Sequence, residues 1–437
     1  MAIYSDGAYL EAAKAVARAL APQLQAPFTL ELWDGSCIPL GDKARDDYRI
    51  VIASAGTIGS LLRRPTMANL AIHYAAGRID LKGDDLITLV EAARAKRVRF
   101  KGRELHKGSL LKQAFPLLFA FDDKAQLEHQ YSGEETGLDL AKRDEKSFIQ
   151  FHYDVGNEFY QLFLDPEMLY SCAYFTDWDN SLEQAQKDKL EMICRKLRLK
   201  PGERFLDVGC GWGALLCHAA QNFGVEAHGV TLSQAQHDLA LEKAKALGIA
   251  DKVTVELKNY EDLTGEFDKI SSIGMYEHVG IANYPRYFGK LKSLLRDKGL
   301  LLNHGITRRA KRSKRAFRKI RPENRLIRKY IFPGSELDHI GHTLESMEAL
   351  GFEIHDVEGW REHYAKTCRL WHQRLIAKEE EAVAQVGRER YRMWIAYLAG
   401  VSIGFQDGSL RIYQTLATAH KSKGAAELPP SRADLYR

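Results

Sequence analysis

An α/β fold is predicted: a Rossmann-like, doubly wound sheet of mostly parallel strands, preceded by a smaller N-terminal α+β domain. Three observations predict it. From Lys200 onward, short apolar runs of strand length alternate with helical periodicities. The first such run ends in Asp207-Val208-Gly209-Cys210-Gly211-Trp212-Gly213, a glycine-rich turn that opens into a helix. At 437 residues the chain is also too long for one ordinary domain.

Residues 1–121 form the expected N-terminal domain, accessory or lipid-binding. Helical periodicity runs over 9–20, strand-like runs over 28–32 and 48–52, and 77–83 reads as a strand leading into a helix over 86–93. No catalytic constellation occurs there. Residues 122–147 are rich in charge and poor in large apolar side chains, the composition of a linker.

The catalytic domain is expected over 148–437. Its buried-type strands fall at 204–208, 225–232, 253–257, 269–273 and 299–306, with helices at 214–222, 234–247 and 284–295. Such alternation gives a parallel sheet covered on both faces, whose ligands bind beyond the carboxyl ends of the strands. A helix over 336–350, a strand over 352–357, long helices between 361 and 398 and a last strand over 410–416 follow.

Composition excludes several classes of protein. No apolar run reaches the roughly 20 residues of a membrane-spanning helix, and the greasiest stretch, 110–121, is short and carries Lys112. Asp6 and Glu11 near the start do not fit a signal peptide, so a cytoplasmic location is expected. Six cysteines (Cys37, Cys172, Cys194, Cys210, Cys217, Cys368) lack C-x-x-C spacing and the density of a disulfide scaffold, and no metal site is expected.

The glycine turn sets the chemistry. Alternate glycines let the backbone turn sharply and approach a ligand closely. A dinucleotide pyrophosphate takes the longer G-x-G-x-x-G spacing. The tighter G-x-G-x-G here resembles motif I of class I S-adenosylmethionine-dependent methyltransferases, with a plain turn or a nucleotide site as the alternatives. The second strand ends at Gly229-Val230-Thr231-Leu232-Ser233 without the carboxylate that commonly grips ribose hydroxyls. Thr231 and Gln236 offer hydrogen bonds in its place, and Asn259-Tyr260-Glu261 ends the third strand, where an adenine would lie. Ser233 serves equally well as a helix cap.

Further segments stand in order along the chain: Phe151-His152-Tyr153-Asp154-Val155-Gly156-Asn157-Glu158-Phe159-Tyr160, Leu169-Tyr170-Ser171-Cys172-Ala173-Tyr174-Phe175, Met275-Tyr276-Glu277-His278-Val279-Gly280 and Asn303-His304-Gly305-Ile306. With the glycine turn and Gly229 to Ser233, they resemble the cyclopropane-fatty-acyl-phospholipid synthase family, which includes the mycolic acid cyclopropane synthases. The likeness covers about residues 147–417, and the N-terminal part looks like the extra domain of the bacterial members that act on phospholipids. The resemblance implies transfer of a methylene unit from S-adenosylmethionine to the cis double bond of an unsaturated phospholipid acyl chain. It also implies that Tyr170, Ser171, Gly209, Gly211, Thr231, Leu232, Gln236, Tyr260 and Glu261 hold the cofactor. By the same resemblance Cys172, Glu277, His304, Ile306 and Tyr364 hold a bicarbonate ion.

Those residue types suit the reaction. An isolated alkene is a poor nucleophile and must be pressed against the sulfonium methyl in a dry, oriented site. Methyl transfer leaves a cation on the chain, which aromatic faces stabilise. Tyr153, Tyr160, Tyr174 and Phe175 are candidates, with ordinary core packing the alternative for each. Ring closure then needs a base beside the new methyl. Bicarbonate fills that role if His304 and Tyr364 donate to it and Glu277 accepts its hydroxyl; Glu277 itself, its pKa raised by burial, is the alternative base. Cys172 reads also as a small buried hydrophobe, and Cys368 as helix packing. A fatty-acyl methyltransferase that leaves a methyl or methylene branch is the nearest rival.

Between 308 and 329 there are twelve Lys and Arg residues and one acid, Glu323. This insert follows the strand carrying His304, on the rim where ligands bind. Polybasic segments gain on the order of 1 kcal/mol per cation at an anionic membrane surface, so peripheral association with the inner face of the membrane is expected. A solvated loop is the competing reading. Nucleic acid is disfavoured because Phe317 is the lone aromatic before Tyr330, where base stacking wants several. The stretch 110–121 offers either a buried helix or a second lipid contact. The sequence leaves open whether the chain acts alone or as a homodimer.

Overall fold

A computed structural model describes residues 3–83, 85–95, 107–121, 127–133, 144–153, 155–319 and 322–436. Most of the expected linker, together with Asp154 and Arg321, lies outside them. Within the expected linker, Leu127 is buried, and the helix Glu145–Tyr153 begins before residue 148. Tyr131 packs edge-on against Phe148 and Phe151, with its hydroxyl 3.0 Å from that of Ser147.

The chain divides into two compact units. One comprises Met1–Gln130, Ile320–Tyr330 and Leu375–Gly400; the other comprises Tyr131–Lys319, Ile331–Arg374 and Val401–Arg437. The first unit contains the strands β1 (Phe28–Glu31), β2 (Cys37–Pro39), β3 (Arg45–Ile52) and β4 (Ile79–Lys82), in the order β2-β1-β3-β4. The helix Asp6–Leu24 buries Tyr9, Ala12, Ala13 and Ala17 in the core formed with Phe28, Ile38 and Ile52. Stretch 110–121 is split between a helix, Lys107–Ala114, and a single 3-10 turn, Pro116–Phe119. Leu117 and Ala120 point inward, whereas Leu111, Phe115 and Phe121 are exposed, so neither expectation for it holds alone.

The second unit is built on seven strands: β5 (Arg204–Val208), β6 (Glu226–Thr231), β7 (Val253–Leu257), β8 (Phe267–Ile273), β9 (Leu295–Arg308), β10 (Phe352–Gly359) and β11 (Leu410–Ala419). Their order is β10-β11-β9-β8-β5-β6-β7. Strands β5 to β9 pair parallel, while β11 runs antiparallel between β9 and β10. Continuous apolar runs form these strands because helices cover both faces, and two buried clusters fill the two sides. Strand order reverses beside β5, with β6 on one side and β8 on the other, which opens a crevice at the carboxyl ends.

One expected element is revised. The helix expected over 336–350 spans only Ile340–Glu348. Residues 336–338 are drawn into tertiary hydrogen bonds instead: the Glu336 amide donates to the Glu277 carbonyl, and the Asp338 carbonyl accepts from the Arg308 amide. The helical stretch from 361 is three helices, Arg361–Ala377, Glu379–Val386 and Arg388–Gln406, the second ending at Gly387 in the left-handed region. Among the described residues no helix is long and apolar enough to cross a membrane, and no cluster of three metal-ligating side chains occurs.

Candidate active site

The turn after β5 is held by β6: the amides of Gly209 and Cys210 both donate to the Val230 carbonyl at 3.0 Å. Gly209, Gly211 and Gly213 all have positive φ, at 76°, 55° and 80°, a region in which side chains are strained. A Cβ on Gly211 would meet nothing within 4 Å, since that face opens into a cavity. Tyr170, Ser171, Gly209, Gly211, Thr231, Leu232, Gln236 and Tyr260 all line this cavity. Glu261 lies outside its wall, paired with Arg286 at 2.9 Å.

Hydrogen bonding at the end of β6 is closed. The Thr231 hydroxyl donates to Gln236 Oε1 at 2.7 Å and accepts the Ser233 amide at 3.1 Å. Ser233 also caps the helix Gln234–Ala246 through the Gln236 amide. The Gln236 side chain also hydrogen-bonds the Tyr153 phenol, so this end of the strand is satisfied within the protein.

The opposite wall is carried by a buried helix, Leu182–Leu197. Gln186 donates to the carbonyls of Leu169 and Ser171, each at 3.1 Å, and Lys189 Nζ donates to Ser171 Oγ at 2.7 Å. Lys189 is fully enclosed, and burial pulls its pKa down to about 8. Asp207, at the end of β5, accepts the Ser271 hydroxyl at 2.6 Å; burial pushes its carboxyl up to about 6.

None of the five residues expected at an anion site lines this cavity. Glu277 is the second residue of the short helix Tyr276–Val279 after β8, and its Oε1 accepts the Ile306 amide at 2.6 Å. Its Oε2 is buried and has no hydrogen-bond partner among the described residues. Burial raises its pKa to about 7, against the lowering effect of the Ile306 N–H. Gly305 admits this carboxylate: a Cβ there would lie 1.8 Å from the Tyr276 ring and 3.2 Å from Glu277 Oε2.

His304 stands opposite Ile273 in the β8–β9 register. Its Nδ1 faces Gln414 Nε2 at 3.2 Å, while Nε2 is buried and has no partner among the described residues. Burial, then the charges of Lys189 and Lys196, hold its pKa well below the ordinary value, so the ring is neutral. Its ring meets Trp360 edge-on at 5.1 Å. Trp360 joins the remaining two residues: its carbonyl accepts from Cys172 Sγ at 3.7 Å and from the Tyr364 amide at 3.0 Å. The Cys172 thiol is raised well above its usual range by burial and stays protonated. The Tyr364 ring packs on Phe405 at 4.6 Å.

The four aromatic candidates part company. Tyr153 lines the cavity, and burial lifts its phenol to about 12. Tyr160 is core, its hydroxyl donating to the His152 carbonyl. Tyr174 stacks on Trp360 at 4.6 Å and Phe175 on Trp178 at 6.0 Å, both outside the cavity wall. Trp212, inside the glycine turn, supplies a second aromatic wall and donates to Asn157 at 2.8 Å.

Sequence reading missed Gln186, Lys189, Lys196, Trp360 and Gln414. A signal was present for three of them: Gln186, Lys189 and Lys196 fall on the same helical stripe as Leu190, Ile193 and Leu197, which is where buried polar side chains demand partners.

The basic insert also separates into parts. Arg308 donates to the carbonyls of Leu337 and Phe317 and covers the Phe317 ring, and Arg328 is buried. Arg309, Lys311, Arg312, Lys314, Arg315, Arg318, Lys319 and Arg325 are exposed.

Comparison with known proteins places this geometry. Residues 140–415 match the family described as mycolic acid cyclopropane synthetase. A probable fatty acid methyltransferase of Pseudomonas putida is 38% identical over 423 residues, 96% of this chain and 99% of that one. The cyclopropane-fatty-acyl-phospholipid synthase of Escherichia coli K12 is 39% identical over 265 residues, 61% of this chain and 66% of its own. The solved structure of mycolic acid cyclopropane synthase CmaA1, complexed with SAH and CTAB, superposes with a TM-score of 0.59 at 34% identity, covering 63% of this chain and 99% of that one.

Proposed function

The chain belongs to the mycolic acid cyclopropane synthetase family, and from that premise we propose that it converts the cis double bond of an unsaturated phospholipid acyl chain into a cyclopropane ring. Its fold is that of the class I S-adenosylmethionine-dependent methyltransferases, and it is an enzyme of that class acting on lipid. S-adenosylmethionine, when bound, supplies an electrophilic methyl group, and bicarbonate, when bound, supplies a base. The CmaA1 complex with SAH supports the first assignment.

The glycine turn lets its backbone approach the cofactor, and Gly211 leaves room for it. Lys189 and Gln186 fix the backbone and hydroxyl of Ser171 on the facing wall. Tyr153, Tyr170 and Trp212 turn aromatic groups toward the cavity, excluding water and favouring positive charge on the acyl chain.

One observation carries the ring-forming reading: two buried hydrogen-bonding atoms, Glu277 Oε2 and His304 Nε2, have no protein partner. Buried polar groups are rarely left so. A small anion bearing both a hydroxyl and acceptor oxygens would satisfy both, and bicarbonate is such an ion. Cys172 and Tyr364 both meet the Trp360 carbonyl, beside the His304 ring, and Ile306 donates to Glu277.

A second reading is favoured by the near full-length likeness to the Pseudomonas putida protein: a methyl or methylene branch instead of a ring. Both begin with methyl transfer: a ring closes if the new methyl loses a proton at once, a methylene branch forms if hydride first shifts to the cationic carbon and the methyl then loses its proton, and a saturated methyl branch needs a hydride donor besides. Incubating purified protein with methyl-labelled cofactor and unsaturated or saturated phospholipid vesicles, then fragmenting the lipid in a mass spectrometer, separates them. Ring fragments from unsaturated lipid alone support the proposal; branch fragments support the second reading; label in a water-soluble acceptor with lipid untouched refutes both.

Membrane access is part of the proposal. The exposed cations between Arg309 and Lys319 follow β9 directly, on the rim of the sheet that bears the site. In the first unit, exposed Leu111, Phe115 and Phe121 offer apolar contact.

A further inference from the structure

We propose that Lys196 and Gln414 are positioning residues that lock His304 in the tautomer carrying its proton on Nε2, so that this N–H is presented permanently to the anion. The inference rests on the anion reading above and deepens it.

Lys196 has only protons to give. Its Nζ lies 2.8 Å from Gln414 Oε1, so the carbonyl end of that amide must face the lysine; the flipped amide would set donor against donor. The amine end, Nε2, is thereby aimed at His304 Nδ1, 3.2 Å away. A donor needs a lone pair opposite it, so Nδ1 bears no hydrogen and the single ring proton resides on Nε2. That atom is buried and meets no acceptor among the described residues.

The same arrangement forbids the doubly protonated ring, since Nδ1–H would again oppose a donor. Burial and the charges of Lys189 and Lys196 act in the same direction. His304 is thus a donor that neither gives up its proton nor accepts a second one. Beside a base, that property matters: an imidazolium would protonate the base, and the other tautomer would repel it.

Lys196 is itself anchored. Its ammonium bonds Glu358, lies 3.7 Å from Asp356 and sits 5.4 Å over the Trp360 ring, with its side chain 1% exposed. A buried ion pair is a weak source of stability compared with an apolar replacement. Orienting Gln414 is the role that the geometry assigns to it.

The test uses the full-length protein, uniformly labelled at histidine with 15N. Two-bond 15N–1H correlation reads each ring's tautomer, and His304→Gln identifies the signal to follow. The wild type is expected to show the Nε2–H pattern at His304. Gln414→Glu, nearly isosteric and still bonded to Lys196, replaces the donor with an acceptor and should switch the ring to Nδ1–H. Turnover should then fall on the order of a hundredfold, the usual scale for losing one preorganised donor, with cofactor affinity kept. Gln414→Leu should give a mixture of tautomers. Wild-type Nδ1–H, or Nε2–H persisting in Gln414→Glu, overturns the proposal. Turnover that ignores removal of bicarbonate from the buffer, with the tautomers as stated, sinks the anion reading and leaves the lock standing.

Discussion

Glu277 receives the Ile306 amide hydrogen at 2.6 Å through one carboxylate oxygen and leaves the other oxygen buried and unpartnered. On the proposed reading, that oxygen takes the anion. Glu277→Gln is expected to lower turnover by roughly a hundredfold to a thousandfold, the range for losing a preorganised electrostatic contact. Cofactor affinity by isothermal titration should stay within a few fold. Collapse of that affinity would remove Glu277 from the anion site. Loss of activity in Glu277→Gln, with wild-type turnover independent of bicarbonate, would make Glu277 the base itself.

The pH profile follows from the same carboxyl. Burial raises its pKa from 4.5 to about 7, with the Ile306 N–H opposing. Only the ionised form accepts a hydroxyl proton, so activity should decline as pH falls through about 7. Stability moves the other way. The folded state binds this proton more tightly than the unfolded chain does, so stability is lost as pH rises from about 4.5 to about 7, by up to about 3 kcal/mol. Glu277→Gln should flatten that slope and be the more stable protein at pH 8. Urea midpoints at pH 5 and pH 8 check this; equal slopes in both proteins would contradict it.

Gly211→Val tests the turn. At φ 55° a β-branched side chain is strained by roughly 1–2 kcal/mol, and its methyls would enter the cavity. Cofactor affinity should drop more than tenfold while the melting temperature falls by a few degrees. Unchanged affinity would move the cofactor away from the turn.

Neutralising Lys311, Arg312, Lys314, Arg315, Arg318 and Lys319 together should weaken binding to anionic vesicles by several kcal/mol, at about 1 kcal/mol each. Salt should reproduce the loss in the wild type through screening. Arg308 is left intact because it holds Leu337 and Phe317 in place. Vesicle sedimentation that ignores salt would rule out this anchoring.

Much of this was legible in the residues. Parallel strands buried on two faces leave continuous apolar runs, so β5 to β9 are found within a few residues from sequence alone. The glycine turn is legible because left-handed backbone restricts residue type. Gln414 was hidden for the opposite reason: in Leu410–Ala419, where Arg411, Thr415 and Thr418 are polar too, it looks like ordinary strand alternation, and only its pairing with His304 across β9 and β11 gives it meaning. The three-residue β2 is too short for any period. The expected helix at 336–339 gave way because tertiary hydrogen bonds outweighed local propensity.

Strand β11 is the last of the sheet to leave the ribosome, yet it inserts between β9 and β10, both made earlier. Until it arrives, those two strands hold open edges, which are the sticky parts of a nascent chain. The glycine turn can form on the growing polypeptide, but His304 gains its amide neighbour only once β11 has been made, so its surroundings mature after the rest of the sheet.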